Sequence, residues 1–145
     1  MTPAEEPAPP PQAQLATSVA GAQRLIKAGQ RELALASLRA LWKRNKQSAY
    51  IPFLLGNLYF DKRWWSVALD HYRSAIGKNG AYRKNGTLNR NVIRMLSSPK
   101  TSGKAKWFLR HDVGHPARAH LKWAAKHDKN ARVRKACAML LRYVK

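Results

Sequence analysis

Residues 54–76 read LLGNLYFDKRWWSVALDHYRSAI, and this stretch carries the strongest fold signal in the chain. Apolar residues recur every three or four positions on both sides of a short polar break, which is the pattern of two amphipathic helices. Small residues, which let two helices approach closely, alternate along it with aromatic residues that fill the groove between them. The residues that carry this spacing are Gly56, Tyr59, Ala68, Tyr72 and Ala75. The stretch predicts a closely packed pair of helices.

The same pattern recurs upstream at the 34-residue period of a common helix-pair repeat. Moving back by that period places a small residue, Ala22, at the position of Gly56, and Ala34 at the position of Ala68. Leucines stand at the remaining three positions: Leu25, Leu38 and Leu41. Size and polarity agree at every step. We therefore expect two successive repeats, residues 15–48 and 49–82.

The rest of the chain is also helical in period, without an alternating run of β-branched residues that would indicate a strand. Further helices are expected at roughly 88–96, at 105–111, from Pro116 onward, and through a last helix ending near the C-terminus. The segment TSGKAK (101–106) lacks the first glycine and the Ser/Thr of a phosphate-binding loop, so it is expected to be a linker. Residues 1–14, with five prolines, are expected to form a disordered linker. The fold class predicted is all-α.

These patterns resemble those of known helical repeats. The spacing in residues 15–82 is similar to that of tetratricopeptide repeats, although Pro52 and Gly80 stand where that family has tryptophan and often proline. Residues 115–141, HPARAHLKWAAKHDKNARVRKACAMLL, resemble a HEAT-like helix pair, so residues 83–145 are expected to form a basic cap packed on the repeats. Taken together, residues 15–145 resemble the C-terminal helical-repeat region of deltaproteobacterial Ser/Thr protein kinases.

That resemblance implies a right-handed solenoid of antiparallel helix pairs, continuous over residues 15–145. It also implies a non-catalytic protein-interaction module of a bacterial cytoplasm. The N-terminus lacks the basic and apolar regions of a signal peptide, and no apolar run approaches the ~18 residues of a membrane span. We accordingly expect a cytoplasmic protein that does not bind a membrane.

Charge is the most unusual property of the composition. Lys and Arg number 28 against seven acidic residues, which gives a net charge of +21. The excess is greatest in residues 83–145, which hold 17 basic and two acidic residues. Such a field favours polyanionic partners. The positive charge is compatible with an acidic or phosphorylated protein partner, which the repeat pattern favours, and also with nucleic acid. The sequence does not decide between these two partners, nor does it determine the oligomeric state.

Exposed aromatic and basic side chains are the candidates for contacting a partner. Trp64 and Trp65 are adjacent and point to different sides of a helix, so at least one of them is expected to be partly exposed. Trp42, Trp65 and Trp107 are expected to fill the core or the grooves between helices. The predicted contact residues are Trp64, Tyr82, Arg63, Arg110, Arg118, Lys122, Arg134 and Lys135.

The segment RHDVGHP (110–116) suggests a metal-dependent phosphohydrolase, because such enzymes use adjacent His and Asp as metal ligands. That chemistry needs further carboxylates, and residues 83–145 contain only Asp112 and Asp128. Gly114 and Pro116 are typical signals for the end of one helix and the start of the next. The single cysteine, Cys137, excludes a Cys-based zinc site and is expected to be buried and inert. We therefore predict no catalytic residue, no metal and no cofactor.

Overall fold

The computed structural model describes residues 14–145, and every regular element in that part of the chain is helical. The prediction of an all-α fold is confirmed for these residues. The Pro-rich segment predicted at 1–14 lies outside the described residues except for Gln14. The α-helices are α1 (Val19–Lys27), α2 (Arg31–Arg44), α3 (Tyr50–Asp61), α4 (Trp65–Lys78), α5 (Gly86–Arg94), α6 (Ser102–Trp107), α7 (Arg118–His127) and α8 (Ala131–Leu140).

The first four helices form two helical hairpins with the same turn. Gly29 and Arg63, which are 34 residues apart, have φ angles of 79° and 68° at the residue after the helix C-cap. In each turn the next backbone N–H, that of Gln30 or Trp64, closes the helix end with a hydrogen bond of 2.9 or 3.0 Å. The helices that follow, α2 and α4, both have 14 residues. The two turns and the helices that follow them therefore match at a spacing of 34 residues.

Close packing inside the second hairpin depends on Gly56 and Tyr72. A Cβ atom at Gly56 would lie 2.5 Å from Cδ1 of Tyr72, so only glycine allows the wholly buried ring to lie against α3. The residues predicted to pack around this contact are all buried: Tyr59, Ala68, Ala75 and, in the first hairpin, Ala34. Pro52 lies in the first turn of α3, where its missing N–H removes no helical hydrogen bond.

The C-terminal half is less regular. Short 3-10 segments, Gly80–Lys84, Met95–Ser97 and His115–Ala117, connect its helices, and a π-helical segment, Phe108–Val113, directly continues α6. Asparagine N-caps start two of these helices: Asn85 Oδ1 accepts from the N–H of Leu88 at 2.9 Å, and Asn130 Oδ1 from that of Val133 at 3.1 Å. The helices α7 and α8 pack on each other and on α5. Buried apolar residues of both halves form one continuous cluster.

Three sequence predictions about residues 101–117 are wrong. TSGKAK is not a linker, because residues 102–106 belong to α6. Pro116 lies in the 3-10 segment before α7, which begins at Arg118. Trp107 is 52% exposed, because the helix turns Ala105, Phe108 and Leu109 toward the core and leaves position 107 on the opposite side.

Candidate functional site

Amide and aromatic side chains from α1, α3, α5 and the segment Gly80–Lys84 form one connected row on the surface. Its three amides are 34 residues apart and lie on alternate helices, α1, α3 and α5. We call this row the polar–aromatic strip; it comprises Gln23, Tyr50, Phe53, Asn57, Tyr82 and Asn91.

Short contacts link the members of the strip. Gln23 Nε2 donates to the hydroxyl of Tyr50, and the ring of Tyr50 stacks on Phe53 at a centroid distance of 6.3 Å. Phe53 in turn packs against Tyr82 at 5.0 Å and against the buried Tyr72 at 6.2 Å. The strip is therefore continuous from the first hairpin to the segment that follows α4.

The hydroxyl of Tyr72 fixes the orientation of two amides in the strip. It donates to Asn57 Oδ1 at 2.5 Å and accepts from Asn91 Nδ2 at 2.9 Å. Burial raises the pKa of Tyr72 well above the ordinary tyrosine value, and burial also raises the pKa of Tyr82, so both hydroxyls stay protonated near neutral pH. The hydroxyl engages Asn57 Oδ1 and Asn91 Nδ2, so Asn57 Nδ2 and Asn91 Oδ1 take no part in these two bonds.

The structure does not bring together the three predicted contact residues of the second hairpin. Trp64 and Arg63 lie at the turn between α3 and α4, whereas Tyr82 lies beyond the other end of the hairpin, against Phe53. Trp64 is half-buried, stacks on Tyr59 at 5.9 Å and has Lys62 Nζ 4.5 Å from its ring. Tyr82 alone of the three belongs to the polar–aromatic strip.

Two of the predicted basic contact residues hold the backbone of the C-terminal half. Arg118 Nη1 donates to the carbonyl oxygens of Leu141, at 3.2 Å, and Val144. Arg134 Nη1 donates to the carbonyl oxygens of Asp128, at 2.7 Å, and Lys129, at 3.1 Å. These guanidinium groups stabilise the end of α8 and the turn before it, and both side chains are half-buried.

The other three predicted basic residues, Arg110, Lys122 and Lys135, are exposed. Arg110 lies over the ring of Tyr143, with its Cζ atom 4.7 Å from the centroid. That contact joins the π-helical segment to the C-terminal residues.

Sequence reasoning missed two exposed aromatic residues, Trp107 and Trp123, which are 52% and 63% exposed. Each indole contacts a histidine four residues later, at centroid distances of 4.6 and 5.1 Å. The signal is visible in the sequence, which reads WFLRH at 107–111 and WAAKH at 123–127.

A pocket of about 420 Å³ lies between α5 and α7, beside Trp123. Its wall is mostly apolar, with Ile93, Ala119 and Ala124, and Arg90 contributes a positive charge. Asp128, also in the wall, forms an ion pair with Arg94 at 2.8 Å and is almost wholly buried. Arg94 and His120 complete the polar part of its lining.

No group of three or more potential metal-ligating side chains occurs within residues 14–145. Asp112 of the HDVGH segment forms an ion pair with Arg73 at 3.0 Å, and its carbonyl oxygen accepts from Arg83 Nε at 2.9 Å. Cys137 is buried, and this burial raises the pKa of its thiol to about 12. Among the described helices none has the length and apolar content to cross a bilayer.

Comparison with known proteins found no match: no family model matches the chain, and no curated protein or solved structure is detectably similar to it.

Proposed function

We propose that this chain is a non-catalytic helical-repeat module that binds a segment of a partner protein along the polar–aromatic strip. The observation that carries the proposal is the row of amides at 34-residue intervals, Gln23, Asn57 and Asn91, joined by aromatic rings and by the Tyr72 hydroxyl. A periodic row of donors and acceptors suits an extended peptide, because its backbone groups are also periodic. Tyr50, which is 40% exposed, and Phe53 and Tyr82 would contact its apolar side chains.

The fold proposed with this function is a right-handed solenoid of two tetratricopeptide-like repeats, residues 15–48 and 49–82, closed by a HEAT-like cap at 83–145. The shared turn at Gly29 and Arg63 and the Gly56–Tyr72 contact support the repeats. A concave inner surface is where helix-pair solenoids bind extended ligands. An adaptor or a kinase-associated regulatory domain in a bacterial cytoplasm is the role that fits the resemblance stated above.

The partner proposed is acidic or phosphorylated. Arg83 and Lys84 are exposed and directly follow Tyr82, so cations stand at one end of the strip. Arginine forms paired hydrogen bonds with carboxylate and phosphate groups, which makes it suited to such a partner.

Selection from displayed peptide libraries, one acidic and one containing phosphoserine, tests the proposal directly. The affinity of a selected peptide is then measured by fluorescence anisotropy for Tyr50→Ala and Tyr82→Ala. We expect each substitution to weaken binding by about tenfold or more, as for aromatic hot-spot residues. Tyr143→Ala is the matched control, because that tyrosine is 54% exposed on another surface. Equal weakening by all three substitutions, or no selected peptide from either library, contradicts the proposal.

A further inference from the structure

Two exposed helix faces in the C-terminal half carry a tryptophan at their centre and no acidic residue. The first, the Trp107 face, runs along α6 and its π-helical continuation; its exposed members are Gly103, Lys104, Trp107, Arg110 and His111. The second, the Trp123 face, runs along α7 and the turn before it; its exposed members are His115, Ala119, Lys122, Trp123, Lys126 and His127.

The two faces share one local arrangement. In each, an indole contacts the histidine four residues later, and a basic residue stands directly before that histidine. Other residues fill the core-facing positions, and more than half of the surface of each tryptophan is exposed. On the Trp107 face a guanidinium from another helix, Arg73, also lies over the ring, with Cζ 5.5 Å from the centroid. Two large apolar rings thus remain in solvent amid positive charge.

The acidic residues of this half are already engaged with arginines. Asp112 forms its ion pair with Arg73, and Asp128 forms its ion pair with Arg94. Residues 83–145 contain no other carboxylate side chain to offset their 17 basic residues. The electrostatic potential outside both faces is therefore strongly positive, and it attracts a polyanion.

We propose that the Trp107 and Trp123 faces bind single-stranded nucleic acid, with each indole stacking on an unpaired base and the flanking lysines and arginines contacting phosphates. Single-strand binders combine these two features, a positive surface and aromatic platforms. In a duplex the flat faces of the bases are covered by their neighbours, so an exposed indole gains little from it. An acidic peptide would neutralise the cations and leave the indoles without a stacking partner. The chemistry therefore favours a single strand.

The pocket beside Trp123 strengthens the assignment. Its apolar wall, with Ile93 and Ala124, lies next to the indole and can hold a base turned out of the strand. Arg90 at the same pocket is exposed and placed to contact the adjoining phosphate. This site lies on α5 and α7, and most of the polar–aromatic strip lies on α1 and α3, so the second function does not depend on the first.

Fluorescence anisotropy with a labelled mixed-sequence RNA of about 20 nucleotides, long enough for several contacts, tests the proposal on the full chain. Trp107→Leu and Trp123→Leu keep an apolar side chain and remove the ring. We expect each to weaken binding by about tenfold, in the range measured for base–aromatic stacking. Trp→Tyr at the same positions should restore most of the affinity. Tyr50→Ala, an exposed aromatic of the other surface, is the matched control and should bind as the unaltered chain does.

Salt dependence separates phosphate contacts from stacking. Replacing Lys122 and Lys126 with glutamine should reduce the magnitude of the negative slope of log Kobs against log salt by about 1.4, since each phosphate contact with a single strand contributes about 0.7. The tryptophan substitutions should leave the slope unchanged. Lys43→Gln with Lys46→Gln, at exposed positions near the end of α2, removes the same charge elsewhere and should have little effect.

Three outcomes overturn the proposal. Equal affinity for the RNA and for its duplex with the complementary strand would mean that charge alone is recognised. If the leucine variants bind RNA as tightly as the tyrosine variants, base stacking does not contribute to the affinity. Competition by polyglutamate as effective as that by RNA would assign both faces to an acidic protein partner. Far-UV circular dichroism on every variant confirms that the fold persists.

Discussion

The two halves of the molecule use their aromatic side chains in opposite ways. In the two hairpins, aromatic rings pack on one another: Tyr59 stacks on Trp64, and Phe60 stacks on Trp65 at 5.8 Å. In the C-terminal half, Trp107, Trp123 and Tyr143 are each more than half exposed. The stacked rings of the hairpins stabilise the fold, whereas these three exposed rings, like Tyr50 in the polar–aromatic strip, are available to a ligand.

The two halves also differ in backbone regularity. The hairpins share one turn, and their second helices are equally long. The C-terminal half changes between α-, 3-10 and π-helical segments, and its helices α5 to α8 have at most ten residues. Its buried residues are nevertheless as numerous as those of the hairpins. Its exposed rings therefore result from the side of each short helix on which they lie, and not from a lack of buried positions.

The largest expected effect is the loss of Tyr72. Tyr72→Ala removes a wholly buried ring and leaves Asn57 and Asn91 without their shared partner. The free energy of unfolding, measured by urea denaturation, should fall by about 3–5 kcal/mol, as for other large-to-alanine changes in cores. Tyr143→Ala, in the C-terminal half, should change it by less than about 0.5 kcal/mol. Comparable losses of unfolding free energy at both positions would contradict the distinction drawn here between the two halves.

Glycine substitutions test the close helix contact. Gly56→Ala places a methyl group on the ring of Tyr72 and should destabilise the protein by about 1–3 kcal/mol through overpacking. At Gly77 in α4 and Gly103 in α6 no atom lies within 4 Å of an added Cβ. Alanine there should instead stabilise by up to about 1 kcal/mol, the difference in helix propensity. Thermal unfolding of the three variants gives the comparison, and a stabilising Gly56→Ala would contradict it.

Substitutions at matching positions of the two hairpin turns are expected to change stability in opposite directions. Arg63 has a left-handed backbone conformation that costs a non-glycine residue about 1–2 kcal/mol. Arg63→Gly should therefore stabilise the protein by up to about 1 kcal/mol, and Gly29→Ala should destabilise it by a similar amount. Chemical denaturation of both variants measures the pair. If both shift stability in the same direction, the turns are not energetically equivalent.

The smallest expected effect is a pH dependence. Burial lowers the pKa of His71, which stacks on Tyr59; Asp70 raises this pKa and Arg39 lowers it. Burial also lowers the pKa of His120, and the charge of Arg90 lowers it further. Below the ordinary histidine pKa of about 6.5 the unfolded chain thus binds more protons than the folded one, so stability falls as pH decreases through that region. We expect a lower Tm at pH 5 than at pH 7.5. In His71→Phe the difference should narrow, and an unchanged difference would exclude His71 as its source.

The hairpins could be predicted from sequence because their defining residues touch within one period. Gly56, Tyr59, Ala68 and Tyr72 meet across a single turn, so the spacing between them reports the contact directly. Trp107 could not be assigned in the same way. Its exposure depends on where α6 begins and on the π-helical segment that follows, and TSGKAK gives no clear sign of a helix start.

Prediction of the contact residues was limited by hydrogen bonds from side chains to the backbone. Arg118 and Arg134 look in the sequence like other surface cations, but carbonyl oxygens of Leu141 and Asp128 engage them. Periodicity cannot reveal such bonds, because Arg118 reaches a distant helix end and Arg134 reaches the turn before its own helix. The amide row at positions 23, 57 and 91 is different, because its 34-residue spacing is visible in the sequence itself.

The shared turn at Gly29 and Arg63 also makes the molecule extensible. A duplicate of residues 49–82 inserted after Tyr82 would again end in the segment Gly80–Lys84, which packs on α4 in the present chain. We expect its own first helix to pack on α4 as α3 packs on α2, because both receiving helices have 14 residues and follow the same turn. Each inserted unit would lengthen the polar–aromatic strip by one amide. On the function proposed above, the number of such units would set the length of peptide that the strip binds.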